Sequence, residues 1–293
     1  MNTFSEKITQ KQAEEIKSFL ANLGATFDSV QYSVWRAKTS NFQAIYYTSG
    51  KLLIQGKDVS DIASKVNEIL GKSSCSEKRE EILMNAEKYI GTDESGKGDF
   101  FGPLVVAGVQ VNSENKQKFI DLGVKDSKKL DDKKILQLAN IIKANAVHSV
   151  IVMTPVKYNE LYNKFKNLNK LLAWGHARAI ENILEKSPCE YALADKFGDE
   201  SLIKNALMQK GRSIILNQMV RAEADIAVAC ASVIARAEFV KRMADMEAKY
   251  ELTMSKGASD KVVQQAKEFV KKYSFERLNE VAKIHFKTTN ELR

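Results

Sequence analysis

Asp93 and Glu94 are adjacent carboxylates at the end of an apolar run that begins at Tyr89. Gly96-Lys97-Gly98 follows at once, and a second apolar run, rich in β-branched residues, covers 104–112. This order predicts a strand, a turn and a second strand, with the acidic pair at the turn. Carboxylates beside a backbone that a ligand can approach closely are suited to metal-assisted cleavage of phosphodiesters.

Two more acids stand where they could join this pair. Asp195 ends the apolar run Tyr191–Asp195, and Asp225 precedes a run of small residues that opens a predicted helix over 226–250. Ligands bind at the carboxyl ends of strands in open α/β sheets, and a helix of small residues can pack closely on such a sheet. We therefore expect the four acids to converge on divalent cations, which prefer oxygen ligands. An ordinary surface or capping role is the alternative for each acid.

The glycines of Gly96-Lys97-Gly98 lack Cβ atoms, so their peptide N–H groups can reach a sugar or a phosphate directly. Lys97 adds a positive charge that suits a phosphate. Most such triplets are ordinary turns, and the position of this one beside the acidic pair favours a binding role.

Residues 1–70 predict a small α/β unit. Thr9 and Gln12 form a capping-box pattern, and apolar residues at helical spacing follow as far as Gly24. Strands are predicted at 27–35, 42–47 and 51–55, and a second helix at 59–70. The small, polar and charged stretch 71–88 is the predicted linker.

Strand and helix signals alternate over 89–293, as in an α/β domain. Asp131 or Asp132 can cap a helix, and another helix is expected after Ser259. The remaining predicted elements are strands at 89–93, 104–112, 148–154 and 191–195 and long helices at 156–184 and 226–250.

The composition is that of an ordinary globular protein, with 44% hydrophobic and 28% charged residues. A net charge of +8 is compatible with a polyanionic partner. The three cysteines are widely spaced, which excludes a disulfide framework and suits a reducing compartment. The sequence offers no Cys/His cluster with zinc spacing and no membrane-spanning apolar run, so we expect a cytoplasmic protein without membrane contact.

Residues 89–105 closely resemble the signature of type 2 ribonucleases H, and the Gly-Lys-Gly form is similar to the HIII branch of that family. The stretch Tyr47–Gly56 resembles the TATA-binding-protein-like domain attached to HIII enzymes. Further segments are similar to family motifs: Asp126–Leu130, Asn169–His176, Ala194–Phe197 and Ala229–Arg236.

The resemblance implies a ribonuclease-H-like catalytic domain preceded by a TATA-binding-protein-like α/β domain that binds substrate. It implies cleavage of the RNA strand of RNA/DNA hybrids with Mg²⁺ or Mn²⁺, leaving 3′-hydroxyl and 5′-phosphate ends. The matching positions imply metal binding by Asp93, Glu94 and Asp195, with Asp225 as a fourth catalytic acid and Glu223 as the alternative. The residues implied in substrate binding are Gly96, Lys97, Gly98, Ser127 and Lys128.

Two other functions remain open. One is an enzyme of the ribonuclease HII kind, which cuts at single ribonucleotides embedded in duplex DNA; the N-terminal extension and the Gly-Lys-Gly turn weigh against it. The other is a non-catalytic nucleic-acid-binding protein, against which the presence of all candidate acids weighs. We expect a monomer that acts in DNA replication and repair. His176 is expected to be a core histidine on an apolar helix.

Overall fold

The computed structural model of the chain describes residues 2–56, 59–71, 86–125, 127, 130–195, 200–219 and 222–292. The chain divides into two compact units, Met1–Asn85 and Ala86–Arg293. Most of the predicted linker lies outside the described residues, so its character stays a prediction. Lys88, at its predicted end, already belongs to a strand.

In the described part of the first unit, antiparallel strands form a sheet in the order β1-β5-β4-β3-β2. The strands are β1 (Asn2–Lys7), β2 (Thr26–Asp28), β3 (Ser33–Lys38), β4 (Phe42–Tyr47) and β5 (Lys51–Gly56). Helices α1 (Gln10–Asn22) and α2 (Val59–Ile69) contribute to one core with Trp35, Ala44 and Ile54. These strand residues alternate with outward ones, so the helices cover one face of the sheet.

Local signals placed most of these elements correctly. The capping box at the start of α1 is present, because the Thr9 side chain accepts from the Gln12 N–H and the Gln12 side chain accepts from the Thr9 N–H. The predicted strand over 27–35 is wrong, since β2 and β3 are separate strands and Tyr32 between them has a positive φ of 65°. Strand β1 escaped prediction because its sequence is polar and it is held by backbone pairing with β5.

The second unit contains a mixed sheet in the order β10-β9-β6-β7-β8. Its strands are β6 (Lys88–Ser95), β7 (Leu104–Asn112), β8 (His148–Met153), β9 (Tyr191–Asp195) and β10 (Ile215–Met219). Strand β6 runs parallel to β9 and antiparallel to β7. The carboxyl ends of β6 and β9 therefore lie at the same edge of the sheet, which is where Asp93 and Asp195 stand.

Helix α8 (Ile226–Tyr250) packs directly on β6. A Cβ atom at Gly91 would lie 2.2 Å from the carbonyl carbon of Ala227, so only glycine permits this approach. The predicted small-residue run at the start of the helix is buried, as expected for close packing on a sheet. The other helices of the described part are α3 (Ser113–Asp121), α4 (Asp132–Asn145), α5 (Pro155–Phe165), α6 (Leu168–Leu184), α7 (Glu200–Ala206) and α9 (Asp260–Tyr273).

The single helix predicted over 156–184 is wrong, because α5 and α6 are two helices. Lys166 adopts a left-handed φ of 49° at the end of α5, and the Asn167 side chain accepts from the Lys170 N–H at the start of α6. This N-cap satisfies a backbone donor that a continuous helix would have bonded internally. Among the described residues, no helix has the length and apolar character needed to cross a membrane.

Candidate active site

A cavity of about 540 Å³ opens at the edge of the sheet where β6 and β9 end. It brings together three of the predicted acids, the glycine-flanked lysine and the predicted serine. Its lining includes Asp93, Glu94, Asp195, Gly96, Lys97, Gly98 and Ser127. Residues that are distant along the chain thus share one site.

Asp93 is crowded by negative charge. Thr92 pairs with Ala194 across β6 and β9, and this register puts Asp93 beside Asp195. Oδ1 of Asp93 accepts a hydrogen bond of 2.8 Å from the Glu94 N–H. Burial and the charges of Glu94 and Asp195 raise the pKa of Asp93 to about 7, although the hydrogen bond with Ser232 acts in the opposite direction.

Glu94 is held by two cationic or cation-forming groups. Nε2 of His176 lies 3.2 Å from its Oε2, and Nζ of Lys97 lies 3.4 Å from its Oε1. Burial alone would raise the pKa of Glu94, but the hydrogen bonds and charges of His176 and Lys97 outweigh it and hold that pKa below its usual value. Glu94 is therefore the more readily ionised member of the acidic pair.

Two serine hydroxyls line the cavity near Asp93. Ser127 Oγ lies 2.8 Å from Ser232 Oγ, and both residues are buried. Ser232 in turn acts on Asp93, whose pKa it lowers. Ser127 thus reaches the site as predicted, whereas Lys128 lies outside the described residues.

Asp195 is anchored to the turn that precedes α8. Its Oδ1 accepts a hydrogen bond of 3.2 Å from the Ala222 N–H. Glu223, the alternative fourth acid, is the next residue along the chain. Its backbone therefore lies beside Asp195, although its side chain is outside what the structure describes.

Asp225 faces a different set of groups. Its Oδ1 accepts from the N–H groups of Ala227 and Val228 at 2.8 and 3.2 Å, and its Oδ2 accepts from the Tyr89 hydroxyl at 2.7 Å. Tyr89 stands four residues before Asp93, about 13 Å along the strand. Asp225 is not among the described residues that line the cavity. The carboxylate acts as the N-cap of α8, and this placement does not support its predicted part in the site.

The acids of the cavity suit a hard divalent cation. Carboxylate oxygens are the ligands that Mg²⁺ and Mn²⁺ prefer, and a cation would offset the burial and the repulsion that raise the pKa of Asp93. Within the described ranges, no three His, Cys, Asp or Glu residues already stand close enough to form a metal cluster. Glu94 is directed toward His176 through Oε2 and toward Lys97 through Oε1, so cation binding requires Oε1 to give up Lys97, whereas Oε2 can keep His176.

The two glycines of the turn differ in what they require. Gly96 has a φ of 92°, and a Cβ there would lie 2.2 Å from the Pro103 carbonyl oxygen, so the fold itself demands glycine. A Cβ at Gly98 would meet nothing within 4 Å. The absence of a side chain at Gly98 therefore serves no packing purpose in this structure.

The sequence did not single out Ser232, Arg236 or His176 as site residues. Ser232 and Arg236 line the cavity one turn apart on α8, and Arg236 also lies 3.7 Å from Asp132. Polar residues at i and i+4 within an otherwise apolar helix were the available signal. His176 is buried as predicted, but its contact with Glu94 was not foreseen.

Comparison with known proteins agrees with this site. A family model described as Ribonuclease HII matches residues 90–289, and one described as a domain of unknown function matches residues 4–79. Ribonuclease HIII of Protochlamydia amoebophila (strain UWE25) is 38% identical over 294 residues, which is 99% of this chain and 96% of that protein.

Solved structures extend the likeness to the fold. Bst-RNase HIII in complex with Mn²⁺ aligns with a TM-score of 0.67 at 27% identity, over 99% of this chain and 98% of that one. Aquifex aeolicus RNase H3 aligns with a TM-score of 0.56 at 30% identity, over 96% of this chain and 99% of that one. The predicted α/β class, a ribonuclease-H-like domain preceded by a small α/β unit, is confirmed. The chain therefore belongs to the type 2 ribonuclease H family, on its ribonuclease HIII branch.

Proposed function

We propose that the chain is an endoribonuclease that hydrolyses the RNA strand of RNA/DNA hybrids, with the cavity around Asp93, Glu94 and Asp195 as its active site. The convergence of these three carboxylates beside the Gly96–Gly98 turn carries the proposal. Family membership supports the reaction, and the donor set supports the use of a divalent cation, Mg²⁺ or Mn²⁺.

The carboxylates would hold the cations, which when bound supply an activated water and stabilise the leaving oxygen of an in-line displacement. Attack at phosphorus breaks the bond to the 3′ oxygen and leaves 3′-hydroxyl and 5′-phosphate ends. The Glu94 N–H orients Asp93, and the Ala222 N–H orients Asp195. Both side chains are thereby held facing the cavity before substrate arrives.

For the fourth acid we favour Glu223 over Asp225. The Ala222 N–H that contacts Asp195 is one residue from Glu223 and three from Asp225. Both carboxylate oxygens of Asp225 already accept hydrogen bonds from the helix start and from Tyr89. Asp225 stays a prediction as the fourth acid, and these contacts weigh against it.

Substrate recognition is assigned to the turn and its neighbours. The open space over Gly98 lets a sugar approach the backbone, where a peptide N–H can contact the 2′-hydroxyl. Lys97 is 39% exposed and can leave Glu94 for a phosphate. Ser127 and Lys128 stay predicted contacts to the substrate backbone.

The first unit is proposed to bind the hybrid with the sheet face that α1 and α2 leave uncovered. Strand alternation places Lys38, Lys51 and Tyr47 on that face. Tyr46 belongs to the core beneath the helices and is not available for it. Lys57, a further candidate, lies outside the described residues.

We also propose a cytoplasmic monomer that acts in DNA replication and repair. The scattered cysteines suit a reducing compartment.

The proposal is tested by measuring cleavage by the purified protein with Mg²⁺ and with Mn²⁺. The two substrates are an RNA/DNA hybrid and a DNA duplex that contains one ribonucleotide. We expect preference for the hybrid, and Asp93→Asn should lower kcat at least about a thousandfold while hybrid binding persists. Asp245→Asn, at an exposed position of α8, is the matched control. Equal cleavage of the single-ribonucleotide duplex would favour the HII-type alternative, and tight binding without cleavage would favour a non-catalytic protein.

A further inference from the structure

Lys283 is a completely buried lysine that is not among the described residues lining the acidic cavity. Its relative exposure is 0%, and its ammonium donates to three backbone carbonyls. The Nζ atom lies 2.7 Å from the Asp99 oxygen, 2.8 Å from the Gly102 oxygen and 3.4 Å from the Phe101 oxygen. An ammonium has three donors, so this arrangement uses all of them.

Such a burial needs a reason, because removing an ammonium from water is costly. Burial lowers the pKa of Lys283 to about 7, and the charge of Asp99 acts in the opposite direction. The buried Tyr158 ring, whose centroid is 5.6 Å from Nζ, adds a further favourable contact. A methionine or leucine would fill the same space without this desolvation but would offer no donor to the three carbonyls.

The carbonyls that Lys283 collects belong to one short loop, and the backbone around it is tied down as well. The Gly102 N–H donates to the Val281 oxygen at 2.9 Å, and the Lys283 N–H donates to the Phe100 oxygen at 2.9 Å. Phe101 forms an isolated bridge with Ala282. The segment 281–283 therefore fixes the loop 99–102 from one side.

The fixed loop is the direct continuation of the Gly96–Gly98 turn. The Asp99 N–H donates to the Gly96 oxygen at 3.3 Å, and Asp99 itself lines the cavity. The Asp99 carbonyl belongs to the rigid peptide unit that continues into Phe100, so Lys283 fixes the backbone where the turn ends. The loop that follows the turn is thus held by a residue outside the cavity.

We propose that Lys283 is a positioning residue that holds the Gly96–Gly98 turn in its substrate-binding conformation through the carbonyls of loop 99–102. The inference rests on the proposed function for the role of that turn. The ammonium of Lys283 is hydrogen-bonded to this loop and not to the carboxylates of the cavity, so it acts on substrate binding and leaves cation binding alone.

The test uses Lys283→Met, which keeps the side-chain volume and removes the hydrogen-bond donors. Lys164→Met, at an exposed position of α5, is the control. We expect Lys283→Met to raise the KM for an RNA/DNA hybrid about tenfold with a smaller change in kcat, because a misplaced turn weakens binding. Mn²⁺ affinity, measured from the electron paramagnetic resonance signal of the free ion, should equal that of the wild type. Amide hydrogen exchange over 96–103 should accelerate.

Lys283→Ala supplies a second measurement, because it leaves a space shaped for propylamine. Added propylamine should restore slow exchange over 96–103 and lower the KM again. Unchanged exchange and an unchanged KM in Lys283→Met would overturn the proposal, and so would a loss of Mn²⁺ affinity equal to the loss of hybrid binding. Hydrogen exchange needs no substrate, so a wild-type chain that failed to cut hybrids would overturn the proposed function while leaving the test of Lys283 intact.

Discussion

Nε2 of His176 lies 3.2 Å from Oε2 of Glu94, while Nδ1 of the same ring lies 2.8 Å from the Thr92 hydroxyl. Thr92 and Glu94 are two residues apart on β6, so their side chains point to the same face of the sheet. Helix α6 covers this face. The histidine is fully buried. Because a carboxylate only accepts hydrogen bonds, Nε2 carries a proton, and the ring fixes where Glu94 points.

His176→Leu should weaken Mn²⁺ binding by about tenfold to a hundredfold, the range typical for losing a group that orients a metal ligand. His176→Gln should lose less, because its amide can still donate to Glu94. Titration of the free-ion Mn²⁺ signal measures both. Equal affinity in His176→Leu and wild type, in protein with an unchanged melting temperature, would reduce His176 to a packing residue.

Gly98→Ala should leave stability nearly unchanged, because a Cβ at that position meets only open space. It should raise the KM for a hybrid, since the added methyl occupies the space through which a sugar approaches. Gly96→Ala is the contrasting variant and should lower the free energy of unfolding by about 1 kcal/mol or more, because Gly96 has a positive φ. An unaltered KM in Gly98→Ala removes that backbone from the substrate contacts.

Sequence signals succeeded where they are local. Strand β7 and helix α8 have their predicted bounds because apolar periodicity and small residues mark them. The break between α5 and α6 was missed, because an Asn at 167 is compatible with a helix interior until its side chain is seen to cap. The acidic pair was found because its two residues are adjacent in the sequence, although both lie within β6 and not at the predicted turn.

Long-range contacts were beyond the sequence. His176 is 82 positions from Glu94, and Lys283 is 184 positions from Asp99. No local pattern distinguishes a histidine that orients a carboxylate from one that fills a core. Asp225 illustrates the same limit, because the sequence does not distinguish an acid that caps the helix after it from an acid that binds a metal.

The fourth acid can be identified by a matched pair of amides. Glu223→Gln should lower kcat strongly with little loss of stability. Asp225→Asn should mainly lower the melting temperature, because the negative charge at the start of α8 is lost and the Tyr89 hydroxyl exchanges a carboxylate acceptor for an amide. Tyr89→Phe is the control that removes only the second contact. A strong fall in kcat for Asp225→Asn alone, at full stability, would restore Asp225 as the fourth acid.

The uncovered sheet face of the first unit predicts a salt-dependent weakening of hybrid binding. Lys38→Ala combined with Lys51→Ala should lower the affinity and reduce the slope of log affinity against log salt by about one for each phosphate that the variant no longer neutralises. Lys11→Ala, exposed on α1 at the covered face, is the control and should change neither quantity. Fluorescence anisotropy with a labelled hybrid at several salt concentrations measures both. A double variant with the wild-type slope would remove this face from the binding surface.

The raised pKa of Asp93 predicts how cation binding varies with pH. Burial and the charges of Glu94 and Asp195 raise this pKa to about 7, so below that pH the metal-free site holds a proton that a cation must displace. Mn²⁺ affinity should therefore fall about tenfold for each pH unit below 7 and level off above it. Calorimetry in two buffers of different ionisation enthalpy should show release of about one proton at low pH.

The same shift has a stability consequence that serves as the control. A carboxyl group whose pKa is higher in the folded than in the unfolded protein stabilises the fold when it is protonated, and this contribution is lost as the pH rises through the folded-state value. The metal-free protein should thus be more stable at pH 6 than at pH 8 through this site, and Asp93→Asn should reduce that difference. The charges of Glu94 and Asp195 beside Asp93 are unfavourable in the metal-free protein, and a bound cation would relieve this repulsion. A Mn²⁺ affinity that stayed flat from pH 5.5 to 8 would show that Asp93 ionises normally and that the crowding is without effect.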